Sequence, residues 1–264
     1  MLTDTHCHLN LPEFEQDLEH VIRSARDSGL MKILVPGIDL PSSRKAVELA
    51  EAYPGLIYAA VGIHPNYSTA NDADFLDELR LLLEKPSVVA VGEIGLDYFR
   101  EFAQKPDQIQ TFGYMLELSL EFRKPVCLHQ RESLEDLLKI LEIWHNKLRS
   151  NKSPLANKPG VFHSFGGDDL LQTWAAERNF YFGISGYVTY KKGESLRNSL
   201  IKIDISRLLI ETDAPYITPE PHRGKRNEPA YVQFTLEKLA VVLGINTNDM
   251  ERISGENAIS LFGW

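Results

Sequence analysis

Apolar residues along this 264-residue chain follow two alternating rhythms. Short runs in which nearly every position is apolar recur at residues 32–37, 56–63, 88–93, 125–129, 161–163, 180–184 and 207–211. Continuous runs of this kind suit strands covered on both faces. The opening segment, residues 3–8, reads as a further short strand at the head of the series. Between the runs, apolar positions fall at helical spacing. In residues 13–28, Phe14, Leu18, Val21, Ile22 and Ala25 share one stripe, and Gly29 supplies the stop. Ser42 and Ser43 can cap a helix that runs to Tyr53 and is halted by Pro54-Gly55. Further helices are predicted at 72–83, 107–122, 133–148, 168–178 and 195–203. Strand starts are roughly 20–37 residues apart, the scale of a βα unit. Eight such units in a chain of this length predict a closed (β/α)8 barrel rather than an open doubly wound sheet. Residues 229–243 supply the last barrel helix, with Val232, Leu236, Leu239, Ala240 and Leu243 on one stripe. A shorter tail helix carrying Ile253, Ile259, Leu261 and Phe262 is expected beneath it. No linker or low-complexity tract interrupts residues 1–264, which predicts a single domain.

The positions of the ionisable groups add chemistry to this outline. In a strand, alternate side chains share a face, so His6 and His8 point one way and Cys7 the other. Two imidazoles side by side are costly to bury unless something binds them, and a metal ion is the usual partner. His64 ends the third strand, Glu93 the fourth, His129 the fifth and His163 the sixth, and Asp213 lies just past the eighth. Strand C-termini of a barrel converge on one rim, so these groups meet in one mouth. Polarity at chain exits explains one or two such residues, but not five of the chain's eight histidines. His20, His145 and His222 fall instead in helices or a polar loop. Several imidazoles with two carboxylates exceed what one tetrahedral ion needs. Two divalent ions bridged by a carboxylate fit better, and Glu93, midway around the rim, is the expected bridge.

Composition narrows the partners. The chain is 43% hydrophobic and 25% charged, with a net charge of -9, which excludes coating of nucleic acid by a global positive field. A local basic patch remains compatible with that total. Cys7 and Cys127 are expected on different sides of their strands, so no disulfide is predicted. Sparse cysteine and the lack of a signal-peptide pattern predict a cytoplasmic setting, and no apolar run approaches the ~20 residues of a membrane span.

Several blocks together resemble the TatD family of metal-dependent deoxyribonucleases, within the amidohydrolase-like barrel hydrolases. They are Asp4-Thr5-His6-Cys7-His8, Gly62-Ile63-His64-Pro65, Val91-Gly92-Glu93-Ile94-Gly95-Leu96-Asp97, His163-Ser164-Phe165-Gly166-Gly167, Glu211-Thr212-Asp213-Ala214-Pro215-Tyr216 and Arg226-Asn227-Glu228-Pro229. The blocks stand in family order from residue 4 to residue 229. The resemblance implies a TIM barrel with two divalent metals (magnesium, manganese or zinc). It makes His6, His8, Glu93 and Asp213 ligands of one ion and Glu93, His129 and His163 ligands of the other, with His64 near the substrate phosphate. It also implies hydrolysis of DNA phosphodiesters inward from 3′ ends. Two positions depart from the family pattern. Gln130 stands before Arg131, where a small residue is usual, and is expected to turn away from the lumen. Lys225 stands beside Arg226, where a second Arg is common.

In the mechanism that follows, Asp213 orients the attacking water or takes its proton, Glu93 bridges the ions, and His64 hydrogen-bonds a non-bridging oxygen in the transition state. Arg131, Lys191, Lys192, Arg223, Lys225 and Arg226 follow strands five, seven and eight, where barrels commonly hold phosphate, and Arg131 and Arg226 are the expected grip. Tyr98, Phe99, Tyr187, Tyr190 and Tyr216 lie near the same loops and could stack on unpaired bases. Two rivals remain. One is a hydrolase of the same fold acting on a small phosphate ester, lactone or amide. The other is a metal-stabilised scaffold without turnover, disfavoured because structural sites are usually closed by four ligands.

Overall fold

A computed structural model describes residues 1–68, 73–100 and 102–264. Eight strands follow the chain in order: β1 (Leu2–Asp4), β2 (Leu30–Pro36), β3 (Ile57–Val61), β4 (Val88–Asp97), β5 (Val126–Arg131), β6 (Gly160–Phe162), β7 (Tyr181–Ile184) and β8 (Leu208–Ile210). Each pairs in parallel with the next. Helices α1 (Leu18–Asp27), α2 (Leu40–Ala52), α3 (Ala73–Leu83), α4 (Lys105–Phe122), α5 (Leu134–Ser150), α6 (Asp169–Glu177), α7 (Glu194–Leu200) and α8 (Val232–Leu243) connect the strands or follow the last one, and α9 (Thr247–Phe262) ends the chain. This is the TIM barrel that the apolar rhythm predicts. Of the helix expected at 72–83, residue 72 lies outside the described residues. Among the described residues, no helix is long and apolar enough to cross a membrane.

The caps differ in detail from expectation. Asp39, not Ser42, caps α2: its carboxylate accepts from the Ser42 amide, while the Ser42 hydroxyl accepts from the Asp39 amide. Ser43 turns inward and donates to the Gly62 carbonyl at 3.2 Å.

Side chains fill the barrel. Leu34, Ala60, Ala90, Cys127, Val161, Tyr181 and Leu209, one from each of β2 to β8, form a continuous apolar cluster with Ala258, Leu261 and Phe262 of α9. Cys7 belongs instead to the outer core between strands and helices, and both cysteines are free and buried. The tail helix α9 is therefore a floor. It lies at the end where strands begin: Asn257 Nδ2 donates to the carbonyls of Ile205 and Leu208, and the Met1 amine pairs with Glu251 at 3.1 Å. A Cβ on Gly255 would sit 2.4 Å from the Met1 carbonyl oxygen, so only glycine permits this approach. With 16 residues, α9 is longer than the 12-residue α8 it was expected to undercut.

The seam between β1 and β8 closes through side chains as well as backbone. Regular pairing of β1 stops at Asp4, so His6 and His8 stand beyond the strand rather than on it. The Asp4 carboxylate, fully buried, accepts from the Thr212 amide at 2.9 Å and the Thr212 hydroxyl at 2.6 Å. The Thr5 amide donates to Ile210, the Asp213 amide to His6, and the His8 amide to Ala214. These bonds set the heights of His6, His8 and Asp213 relative to one another. Thr212→Val keeps the shape but leaves one Asp4 oxygen without its hydroxyl donor and the Ala214 amide without its hydroxyl acceptor, both buried. We expect a loss of about 1–3 kcal/mol, seen as a fall of several degrees in Tm. An unchanged Tm would show that the seam does not depend on this bond.

Candidate metal centre

Every group predicted at the rim reaches the C-terminal mouth of the barrel. His6 and His8 arrive through the loop after β1, His64 follows β3, and Glu93 and His129 project from β4 and β5. His163 follows β6, and Asp213 follows β8 with a left-handed φ of 57°.

Two sets of donor atoms form around the Glu93 carboxylate. In the first, the Nε2 atoms of His6 and His8 are 3.1 Å apart, and they lie 3.4 and 3.5 Å from Glu93 Oε2. Asp213 Oδ1 completes this set at 3.8 and 3.6 Å from the same two nitrogens. In the second, Glu93 Oε1 lies 3.0 Å from His129 Nδ1 and 2.8 Å from His163 Nε2, and these nitrogens are 3.3 Å apart. A tetrahedral ion with ligand bonds of about 2.0–2.1 Å needs donors about 3.4 Å apart. The first set spans 3.1–3.8 Å, around that value, and the second 2.8–3.3 Å, somewhat tighter. The donors (imidazole nitrogens and carboxylate oxygens) are those a divalent ion such as zinc or manganese accepts. Glu93 offers one oxygen to each set, as a bridge requires. The His6 and His163 rings, one from each set, stack with centroids 4.0 Å apart.

The electrostatics follow from burial and from mutual contact. Burial works to raise the Glu93 pKa. The charge of His163 and the hydrogen bonds from His129 and His163 overcome it and hold the carboxyl well below the usual range. Asp213 is lowered likewise, against burial, by the hydrogen bond with His8 and the charges of His163, His6 and His8. Burial pulls His163 down, but Glu93, Glu211 and Asp213 raise it well above the ordinary imidazole value. Burial and the neighbouring His163 lower His6. The carboxylates that would hold ions are thus already ionised at neutral pH.

His64 differs from the others. Burial, then the charge of His129, brings its pKa down to about 3, so it is neutral. Its Nδ1 accepts from the Asn66 amide at 3.1 Å, so the proton is on Nε2, which faces Glu93 Oε1 at 3.6 Å. His64 therefore presents an N–H donor to the mouth rather than a lone pair.

Two buried carboxylates support the second set. Asp97 Oδ2 lies 3.2 Å from His129 Nε2, while Asp97 Oδ1 accepts from the amides of Phe99 and Arg100 at 2.9 Å each. Burial would raise Asp97, but the bond with His129 and the two amides bring it down to about 2. Glu211 Oε1 lies 3.7 Å from His163 Nδ1. Neither was among the expected site residues. The signal for Asp97 was available: alternation puts residues 93, 95 and 97 on one face if the strand runs past Glu93, and β4 does.

The mouth opens into a cleft of about 620 Å³ lined by His8, His64, Glu93, His129, His163 and Asp213, with Arg100, Phe102, Gln130, Arg131, Tyr67 and Tyr216 among its outer residues. Arg131 is where the sequence reading puts it. Gln130, expected to turn away, is also among the residues lining the cleft. Arg226 does not line it. Its guanidinium donates to the Glu13 carbonyl, to both oxygens of Asp17 at 2.9 and 2.7 Å and to Glu228 at 3.0 Å, and it lies over the Phe14 ring. All four terminal N–H groups are engaged, which corrects its assignment as a phosphate grip: it ties the loop after β8 to the segment before α1. Lys191, Lys192, Arg223 and Lys225 are also absent from the lining, and Arg223 lies over Tyr190. Tyr98 donates to Asp136, Tyr187 to the Lys192 carbonyl and Tyr190 to the Thr218 carbonyl, which leaves Tyr216 as the one expected tyrosine in the cleft.

A (β/α)8 barrel with imidazoles and carboxylates gathered at its strand ends defines the class of metal-dependent barrel hydrolases. The chain belongs within it to the TatD-related DNase family, whose model matches residues 3–263. It is 36% identical over 262 residues to the uncharacterized metal-dependent hydrolase YabD of Bacillus subtilis, covering 99% of each chain. It is also 36% identical over 265 residues to the 3′-5′ ssDNA/RNA exonuclease TatD of Pantoea ananatis, covering 98% of each. The crystal structure of the TatD homolog YJJV from Escherichia coli superimposes with a TM-score of 0.89 at 29% identity, covering 100% of this chain and 98% of the other. The protein is a metal-dependent hydrolase acting on ester bonds.

The reassignment of Arg226 has a measurable consequence. Arg226→Ala should lower Tm by a few degrees at most, because its pair with Asp17 is largely solvent-screened, while divalent-ion affinity stays within about twofold of wild type. A large loss of ion affinity with no change in Tm would contradict a purely structural tie.

Proposed function

We propose that this hydrolase is a deoxyribonuclease that shortens single-stranded or frayed DNA from its 3′ end, acting as one domain over residues 1–264. His6, His8, Glu93 and Asp213 hold one divalent ion, and Glu93, His129 and His163 hold the other. The observation that carries this reading is the sharing of the Glu93 carboxylate, one oxygen to each donor set at spacings of 2.8–3.5 Å. The relative named a 3′-5′ ssDNA/RNA exonuclease supports the substrate and the polarity.

Bound divalent ions would supply a water acidic enough to ionise near neutral pH and polarisation of the phosphoryl oxygen. The side chains do the rest. Asp213 has a second oxygen free of the His6 and His8 contacts, with which it orients the attacking water in line with phosphorus and takes its proton. The Nε2–H of neutral His64 donates to a non-bridging phosphoryl oxygen as charge builds there. Arg131, exposed at the end of β5, makes no ion pair among the described residues and is free to hold a neighbouring phosphate. Asp97 fixes the His129 ring through Nε2 and so keeps Nδ1 turned to Glu93.

The test is digestion of 5′-labelled single- and double-stranded DNA with magnesium or manganese. We expect a ladder of progressively shorter products that a chelator abolishes. Internal cuts would replace the exonuclease reading with an endonuclease, and failure to cut any DNA with any ion would favour a small ester, lactone or amide substrate. Glu93→Ala and Asp213→Ala should each lose at least about 100-fold in kcat while keeping the wild-type circular dichroism spectrum. Near-normal turnover by either would refute its role. Asp97→Ala should bind divalent ions about 10–100-fold more weakly by titration calorimetry. Equal affinity would remove it as the support of His129.

A further inference from the structure

Large apolar side chains left in water need a reason, and aromatic rings most of all. Among the described residues, five aromatic side chains are strongly exposed: Tyr67 (48%), Phe99 (52%), Phe102 (74%), Tyr114 and Tyr216 (50%). All but Tyr114 stand at the metal mouth. Tyr216, after β8, packs edge-on to His8 with centroids 6.2 Å apart, and Tyr67, after β3, packs edge-on to His64 at 6.4 Å. Phe99 and Phe102 occupy the side contributed by the loop after β4, where the Arg131 guanidinium lies 3.7 Å over the Phe99 ring. Tyr67, Phe102 and Tyr216 line the cleft together with Arg100 and Arg131. Neither arginine has a carboxylate partner among the described residues, although the chain as a whole carries a net charge of -9.

Rings on three sides of a hydrolytic centre, interleaved with unpaired guanidinium groups, define what they can hold. The ligand must offer flat apolar faces and negative charge at short intervals along its length. An unpaired nucleotide strand does so; a duplex hides the faces of its bases within the stack, and a small ester, lactone or amide has no repeating charge. We propose that Phe102, Tyr67 and Tyr216 form a nucleobase-stacking subsite that seats the unpaired 3′-terminal bases, while Arg100 and Arg131 hold the phosphates between them. The assignment rests on the nuclease reading above and goes further, naming the residues that confine the enzyme to unpaired ends. Because every base has a π face, the subsite selects for the presence of a base rather than for its identity.

The experiment compares two 5′-labelled oligothymidylates, one ordinary and one whose last two 3′ nucleotides lack bases, with wild type, Phe102→Ala and Tyr67→Ala. Both side chains are exposed, so folding should survive their removal, and circular dichroism checks it. Wild type should favour the base-bearing end by about tenfold or more in kcat/KM, and each variant should reduce that ratio to within about threefold of unity. A ratio of unity in wild type, or one that both variants preserve, overturns the stacking subsite and leaves the nuclease reading standing. If wild type cuts neither strand yet hydrolyses bis(p-nitrophenyl) phosphate, the nuclease reading itself fails and the subsite falls with it.

Discussion

The structure depends on keeping one buried carboxylate charged. Glu93 is almost fully enclosed, and burial alone would neutralise it. It is ringed by imidazoles from four other strand ends, His6 and His8 on one oxygen and His129, His163 and His64 on the other. The charge of His163, with the hydrogen bonds from His129 and His163, keeps it ionised. No single βα unit could provide this. A barrel can, because it brings strand ends distant in sequence to one rim at fixed heights. The closure between β1 and β8 is therefore part of the chemistry. Asp4 and Thr212 lock the two ends of the sheet at the height where His6, His8 and Asp213 share a corner.

Around that charge the protein arranges support at increasing distance. Asp97 and Glu211 lie behind His129 and His163, so the second donor set is braced by carboxylates on its far side. His64 is held by a backbone amide instead, which leaves a proton facing the mouth. The contrast divides the imidazoles by what each presents, a lone pair or an N–H group. That division suits a centre that binds cations and, on the nuclease reading proposed above, meets an anionic substrate.

Most of the barrel was legible in the apolar rhythm, since continuous runs and helical stripes recur at the spacing of βα units. The site was legible for the same reason, because polar residues at the ends of apolar runs are conspicuous. What escaped depended on where strands stop. Extending β4 from Glu93 to Asp97 adds a residue behind His129, and extending β5 beyond His129 carries Arg131 on the same face to the rim of the cleft. Arg226 escaped for another reason. Its place after β8 suggested phosphate, but Asp17 and Glu13, more than two hundred residues earlier in the chain, occupy its guanidinium. Local spacing carries no information about such a partner.

The floor laid by α9 also governs how a polymer could be handled. With Ala258, Leu261 and Phe262 packed against the interior side chains of β2 to β8, the barrel is a cup with no rear exit. A strand entering it cannot be drawn through. If the substrate is a nucleic-acid strand, as proposed, the cut product departs by the route it entered, and the remaining end withdraws or advances through the same opening before the next bond is presented. Such a vessel favours release and recapture between cuts over continuous threading.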